Sequence, residues 1–384
     1  MKKTRSDDGA LRFDLGKTIG ELSIKSSLND NLKVICDAIQ QRYPDISRIS
    51  VGIFDEKTET LKAFLSTKGT DEPLAHLEAP MGSLEDLSGL MDGNSERRIR
   101  HLEDEPDSFT AIELLKKGYK SSYIAPIFER EEFIGVIALS STRKNRFDYR
   151  HLRVQIDVII KLISILVVSE IYAIKGLKGT AKTLKEVAAL RDNETGEHLE
   201  RMSRYSRLIA LDLAEYFGFD DEYIEEIFQC APLHDIGKIA IPDRVLLKPD
   251  RLTSDEFDEM KEHTAVGRDI IIKALKNLHM DEKSFSKILI NIVYGHHENW
   301  DGSGYPLGQK GEDIPPESRI IRVADVYDAL TCKRPYKKAW SHQDTLDYLV
   351  ENSGVLFDPE CVKSAQRLGS KFLKVAAQFQ ESDL

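Results

Sequence analysis

Two adjacent histidines, His296 and His297, sit in the run GHHENWDGSGYP, and a histidine–acid doublet, His234–Asp235, lies well upstream in LHDIGK. Adjacent imidazoles followed by an acid and a glycine-rich turn fill a hydrophobic core badly and hold metal ions well. A fold that uses both doublets must bring distant segments to one point. That requirement constrains the second half of the chain more than any other feature. Further metal-type side chains stand around them: Glu194, His198, His263 and Asp325.

The spacing is informative. Glu194 and His198 are four residues apart in a stretch with helical apolar periodicity, which puts both side chains on one helix face within reach of one ion. His234 and Asp235 are consecutive, so on a helix they point roughly 100° apart; one can serve one ion while the carboxylate of the other leans across to bridge two. His263 stands in the helical run MKEHTAVG, His296 and His297 end the apolar stretch ILINIVYG, and Asp325 lies in the amphipathic run RIIRVADVYDAL. Taken singly, His263 reads as a surface or core histidine, Glu194 and His198 as an ordinary helix pair, and Asp325 as a cap or salt-bridge partner. Their concentration argues otherwise, because five of the ten histidines fall in this set.

Five imidazoles and three carboxylates without a thiolate suit Fe, Mn, Co or Zn better than Mg or Ca, which prefer oxygen shells. Two such ions about 3.5–4 Å apart can lower the pKa of a shared water from about 15.7 towards about 7. The expectation is a multinuclear site that hydrolyses a phosphoester. Lys238 comes soon after Asp235 and reads either as a contact to a substrate phosphate or as a solvated helix end. In DGSGYP, Gly302 and Gly304 permit positive φ or close backbone approach, and Pro306 stiffens the chain beyond them. Tyr305 is thereby set on a tight loop, to touch substrate or to pack the loop down.

These residues carry a resemblance. The ordered series RDNETGEH, APLHDIGKIAIPD, LLKPDRLT, MKEHTAVG, GHHENWDGSGYPLGQKGEDIP, RIIRVADVYDALT, RPYKKAW and FDP resembles the HD-GYP family, a branch of the HD-domain phosphohydrolases. The resemblance covers nearly half the chain. It implies an all-helical bundle that hydrolyses the bacterial second messenger cyclic di-GMP to pGpG and in some members GMP. It also implies metal ligands at His198, His234, Asp235, His263, His296, His297 and Asp325, with Asp235 as the bridge. A glutamate at the position of Glu194 supports a third metal in some members, so two or three transition-metal ions are expected, iron first and manganese second. Asp235 and Lys238 are the expected catalytic residues; Lys238, Tyr305, Asp328, Arg334 and Lys337 are the expected substrate contacts. Many relatives carry an acid just before RPY; Lys333 stands there instead and makes the loop more basic.

The first half has a different texture. Residues 18–43 carry helical spacing, and short β-type runs come after: ISRISVGIFD, ETLKAFLST, SSYIAPIFE and FIGVIALSS. Strands mixed with flanking helices predict an α+β domain. The run from Gly118 to Leu152 resembles the end of a GAF domain, a family of small-molecule, haem or redox sensors, with PAS as the competitor. His76 and His101 lie in polar stretches and read as solvent-exposed rather than as haem ligands. From about Phe147 the sequence reads as one long proline-free helix, with Leu152, Ile156, Ile159, Ile160, Ile163, Leu166, Val167 and Ile171 in a broad apolar stripe. Three-and-four spacing fits a parallel two-stranded contact, so a homodimer is expected, although packing within the sensor domain would also consume part of the stripe.

The predicted organisation is an N-terminal tail at 1–17, a GAF-like α+β sensor at 18–150, a dimerising linker helix at 151–189 and a helical HD-GYP bundle at 190–384. The apolar run VIIKLISILVVSEIYAI is interrupted by Lys161 and Glu170, so no membrane insertion is expected. The basic start lacks the apolar core of a signal peptide. Cys36, Cys230, Cys332 and Cys361 show no CxxC spacing and fit reduced thiols in a cytoplasm. A net charge of −11 argues against a polymeric nucleic-acid partner; a dinucleotide needs only a local basic patch. The expected protein is a metal-dependent cyclic-di-GMP phosphodiesterase gated by a sensor for an unknown small molecule. The alternatives are a hydrolase for another cyclic dinucleotide and a non-catalytic cyclic-di-GMP-binding module, which the complete ligand set disfavours.

Overall fold

The structure is a computed structural model that describes residues 15–22, 27–68, 72–84, 89–91, 98–188, 196–278, 280, 284–332 and 339–380. The chain divides into two compact units, 1–171 and 172–384, with the division inside one long helix.

In the first unit, six antiparallel strands form one sheet in the order β3-β2-β1-β6-β5-β4. They are β1 (Ile46–Asp55), β2 (Thr60–Ser66), β3 (Glu78–Pro80), β4 (Arg98–His101), β5 (Ser121–Glu129) and β6 (Glu132–Ser141). Side chains alternate across the pleat. Ile49, Val51, Tyr123, Ala125, Ile137 and Leu139 therefore share one buried face. Helix α1 (Leu28–Gln40) packs there through Leu32, Ile35 and Ile39, with Ser27 Oγ accepting from the Asp30 N–H at 3.1 Å as its N-cap. The second layer on that face is the start of α2 (Arg150–Ala188). The opposite face is covered by Met81, Leu84 and Leu90 packed with Leu61, Ile124 and Val136. The α+β expectation holds for this unit.

Helix α2 corrects the expected dimer stripe. Leu152, Ile156, Ile159, Ile160, Ile163 and Val167 are buried in the sheet core of their own unit, with Leu166 and Ile171 packed against it. The broad apolar face is thus consumed within the domain, and the first half of the predicted linker belongs to that domain's core.

The second unit is helical. Its main helices are α3 (Gly196–Asp212), α4 (Asp221–Cys230), α5 (Ser254–Asn277), α6 (Ser284–Gly295), α7 (Pro316–Thr331), α8 (His342–Glu351), α9 (Pro359–Arg367) and α10 (Gly369–Gln378). Among the described residues it has no strand beyond a bridge between Ser353 and Phe357. Sequence signals set the ends: Asp220 caps α4 by accepting from the Tyr223 N–H, and Thr253 and Glu256 form a reciprocal capping box at the start of α5. The core runs through Tyr205, Ile209, Ile227, Leu275, Ile292, Ile320 and Phe372. Between α4 and α5 the chain makes two 3₁₀ turns, Ala231–Leu233 and Ile236–Ala240, and His234 and Asp235 sit at their junction.

Candidate metal centre

Gly237 places that junction. A side chain at Gly237 would lie 1.9 Å from the His263 carbonyl oxygen and 2.5 Å from the Gly267 nitrogen. The absence of a Cβ lets the turn seat directly on the backbone of α5, which delivers Asp235 to His263. The glycine-rich loop is built in the same way. A Cβ on Gly304 would lie 2.2 Å from the Asn299 nitrogen, and Gly302 adopts φ +88°. Tyr305 is thereby folded back with its ring stacked on His297 at 4.7 Å, its N–H donating to the His297 carbonyl at 3.2 Å.

Two groups of side chains meet in this unit. Asp235, His263, His296 and His297 each offer a ligand atom within 4.8 Å of the others, and so do His198, His234 and Asp325. Consecutive residues, His234 and Asp235, join the groups, with His234 Nε2 3.0 Å from Asp235 Oδ2. Seven of the eight expected ligands therefore lie in two adjoining clusters. Glu194 lies outside the described residues, as do Arg334, Lys337 and Lys333.

The rings are held in one orientation. Nδ1 of His234 donates to the Ala231 carbonyl at 2.9 Å, Nδ1 of His263 to the Met260 carbonyl at 2.7 Å, and Nδ1 of His296 to the Ile292 carbonyl at 3.1 Å. Nδ1 of His198 donates to Asp328 Oδ2 at 2.7 Å. An oxygen acceptor at Nδ1 fixes the proton there and leaves Nε2 with its lone pair turned inward. Burial pushes His263 down to about 4, against the pull of Asp235, and burial together with His296 holds His297 well below its ordinary value. Both are neutral near pH 7.

That orientation creates a conflict which a cation resolves. His263 Nε2 and His296 Nε2 approach each other to 3.4 Å and lie 3.3 and 3.6 Å from Asp235 Oδ1. Asp235 Oδ1 is fully buried and accepts no hydrogen bond. Burial opposes ionisation of Asp235, but Lys238 and then His234 outweigh it, so the carboxyl stays well below the usual range. An ionised oxygen facing imidazole lone pairs, buried and unsatisfied, is costly on its own and suits a bound cation. The donor set fits transition-metal ions, which could be held by His263, His296, His297 and Asp235 on one side and by His198, His234 and Asp325 on the other.

Several surrounding residues were not legible as partners. Asp328, expected to touch substrate, is instead 1% exposed, with its oxygens held by His198 and by Arg201 Nε and Nη2 at 2.7 and 2.9 Å. Buried and held on both oxygens, it orients the His198 ring. Burial alone would raise its carboxyl, yet the bonds from His198 and Arg201 bring it below the ordinary value. Arg322 lies with Nη1 3.4 Å from His297 Nδ1 and Nη2 donating to Asn299 Oδ1 at 3.0 Å. Glu298, the acid directly after the two histidines, turns away from the centre and accepts from the Leu307 and Gln309 N–H groups at 2.7 and 3.0 Å. It ties down the glycine-rich loop. Lys238 Nζ stands 2.8 Å from Asp235 Oδ2 and is partly exposed.

In this helical unit, with two histidine–carboxylate groups joined at a His–Asp doublet, residues 182–361 match the family described as HD domain. The chain is 43% identical over 200 residues to a cyclic di-GMP phosphodiesterase of Vibrio cholerae, covering 51% of this chain and 40% of that protein. It is 35% identical over 191 residues to a 3'3'-cGAMP-specific phosphodiesterase of the same organism, covering 50% of this chain and 34% of that protein. Among solved structures, the GAF domain from an Acinetobacter phosphoenolpyruvate-protein phosphotransferase aligns over 42% of this chain and 94% of its own, at 18% identity and a TM-score of 0.32. The chain spans half or less of the length of the curated relatives it matches.

Proposed function

We propose that the helical unit hydrolyses cyclic di-GMP to linear pGpG, and onward to GMP where the first product rebinds. The observation that carries this reading is the pairing of two inward-facing ligand groups at His234–Asp235, with Asp235 Oδ1 buried and unsatisfied between imidazole nitrogens. The relatives named for cyclic di-GMP support the substrate. In this reading His263, His296 and His297 serve one ion, His198, His234 and Asp325 a second, and Asp235 both. Iron is the proposed metal, with manganese next, as the family resemblance implies; the mixed nitrogen and oxygen set fits both, as it fits Co and Zn, and Glu194 is the proposed ligand of a third ion.

When bound, such ions supply a hydroxide at neutral pH and neutralise charge on the phosphoryl oxygens. The protein does the rest. Asp328, braced by Arg201, fixes the His198 tautomer. Lys238 balances Asp235 and offers its ammonium to a non-bridging phosphate oxygen. Tyr305 walls the site over His297, and Arg334 and Lys337 are the proposed contacts to phosphate or a guanine edge.

The α+β unit is the proposed GAF-type sensor of a small molecule. Among the described residues no helix is long and apolar enough to cross a membrane; a cytoplasmic setting is proposed from the cysteines, which show no CxxC spacing. A homodimer is proposed through a second face of α2. Val154, Val158 and Ile165 are 58%, 48% and 57% exposed there, at four- and seven-residue spacing.

Metal analysis of anaerobically purified protein, combined with chromatography of products from cyclic di-GMP, tests the reading: bound transition metal and pGpG are expected. Metal-loaded protein that leaves cyclic di-GMP intact would sink it. The 35% identity to a 3'3'-cGAMP-specific enzyme favours a second reading, a hybrid cyclic dinucleotide as substrate, which the same chromatography separates by its products.

A further inference from the structure

We infer that Phe257 is a base-stacking platform at the rim of the metal centre, and that it selects phosphoesters carrying a nucleobase. The inference deepens the phosphodiesterase reading and rests on it. Phe257 occupies the first turn of α5, where the Thr253–Glu256 capping box pins the helix start and the Phe257 N–H donates to the Thr253 carbonyl at 2.9 Å. Its backbone is therefore rigid. Its side chain is 45% exposed and takes no part in the hydrophobic core of the unit, so packing against that core does not account for an aromatic ring there.

Its neighbours point to a ligand. Phe257 meets Tyr305 edge-to-face at 6.2 Å, and Tyr305 in turn stacks on His297 at 4.7 Å. Two ring steps thus connect an exposed aromatic surface to a candidate metal ligand. A nucleotide whose phosphate sits at the metal centre carries its base several ångströms away through the sugar, which is the direction this ladder runs. Lys261, one turn further along α5, holds Nζ 4.8 Å from the Phe257 centroid and 5.9 Å from the Tyr305 centroid. Its ammonium is paired with Asp258 Oδ1 at 2.7 Å and stands as a cation beside both rings. An aromatic face beside a cation, next to a phosphoester site, is how proteins hold a base without reading its edge, because every base has a π-face. Phe257 is accordingly a specificity residue for bases as a class, and discrimination between guanine and adenine must come from other groups.

Binding of GMP and of ribose 5-phosphate to the metal-loaded full chain tests this directly, since the two share phosphate and sugar and differ in the base. The parent should bind GMP more tightly than ribose 5-phosphate by about 5- to 150-fold, the range for one stacked base. Phe257→Ala should erase most of that preference while ribose 5-phosphate affinity and metal content stay put. Phe257→Trp should retain the preference, and Phe257→Leu, equally apolar but without a π-face, should not. Retention of the preference in the Ala variant, or full recovery in the Leu variant, overturns the platform. A parent that binds both probes equally overturns the platform alone; a parent that binds neither overturns the phosphoester reading together with it.

Discussion

Charge is buried in opposite ways in the α+β unit and at the candidate metal centre of the helical unit. In the α+β unit, Arg48 donates from Nε to Glu72 Oε1 at 2.7 Å and from Nη1 to Ser140 Oγ at 3.2 Å. Glu72 also accepts from Ser66 Oγ and from the Leu74 N–H. Lys62 and Asp55 pair at 2.6 Å. These circuits are closed by the protein itself. In the helical unit, Asp235 Oδ1 and the Nε2 atoms of His263 and His296 face one another with lone pair towards lone pair. Burial of charge does not by itself mark a functional site. Buried lone pairs that converge on one point, as those of Asp235, His263 and His296 do, distinguish the candidate metal centre.

The comparison can be broken or sharpened by substitution. The largest effect belongs to Asp235→Ala, which removes the carboxylate proposed to serve both ligand groups. Turnover of cyclic di-GMP should vanish and metal content should fall while the far-ultraviolet circular dichroism stays helical; normal metal loading would refute the shared-ligand assignment. Next comes Arg48→Ala in the closed circuit. Leaving Glu72 buried and unpaired should cost about 3–5 kcal/mol in urea unfolding, and Arg48→Met with Glu72→Leu should recover much of it. Failure of the double variant to recover would mean that Arg48 contributes through packing.

A pH titration of stability gives the third test. Folded His263 titrates at about 4, below the ordinary 6.5, so below 6.5 the unfolded chain binds a proton that the folded unit refuses. Metal-free protein should hold its stability above about pH 6.5 and lose roughly 3 kcal/mol as the pH falls through about 4; a His263→Gln variant should flatten that slope. Asp328→Asn comes next in size. Weakening the hold on His198 should cost about 10- to 100-fold in metal affinity, read by chelator competition, with no change if Asp328 is only a core ion. The smallest effect on folding is expected for Val158→Lys with Ile165→Lys, within about 0.5 kcal/mol because both are exposed. Light scattering should nonetheless report loss of dimers. Ile163→Lys, by contrast, would disrupt the sheet core that Ile163 fills.

Spacing and residue type account for the part of the fold and site that was legible in the sequence. The metal-type residues stood out because imidazoles next to acids are rare in cores, and the structure gathers seven of them into two adjoining groups. The α+β and helical textures came from period-two and helical apolar patterns. The face of α2 was misread because a buried helix and a paired helix share one periodicity; only the sheet's position distinguishes Ile163 from Ile165. The partners of Asp328 were not legible for a related reason. This aspartate lies three residues after Asp325 on α7, but the carboxylate's partners, His198 and Arg201, come from a distant helix, α3. Glu298 looked like part of the metal motif by adjacency, whereas its chain direction sends it to the Leu307 and Gln309 backbone. Phe257 gave no signal at all, since an isolated phenylalanine on a helix is ordinary until its neighbours are known.

The seating of Gly237 on the backbone of α5 has a mechanical consequence. His234 and Asp235 are borne by a single short turn that has no side-chain padding beneath it, only main chain against main chain at His263 and Gly267. One residue of each ligand group, His234 and Asp235, is thereby set against α5 by the same main-chain contact, while His198, His296, His297 and Asp325 are carried by other elements.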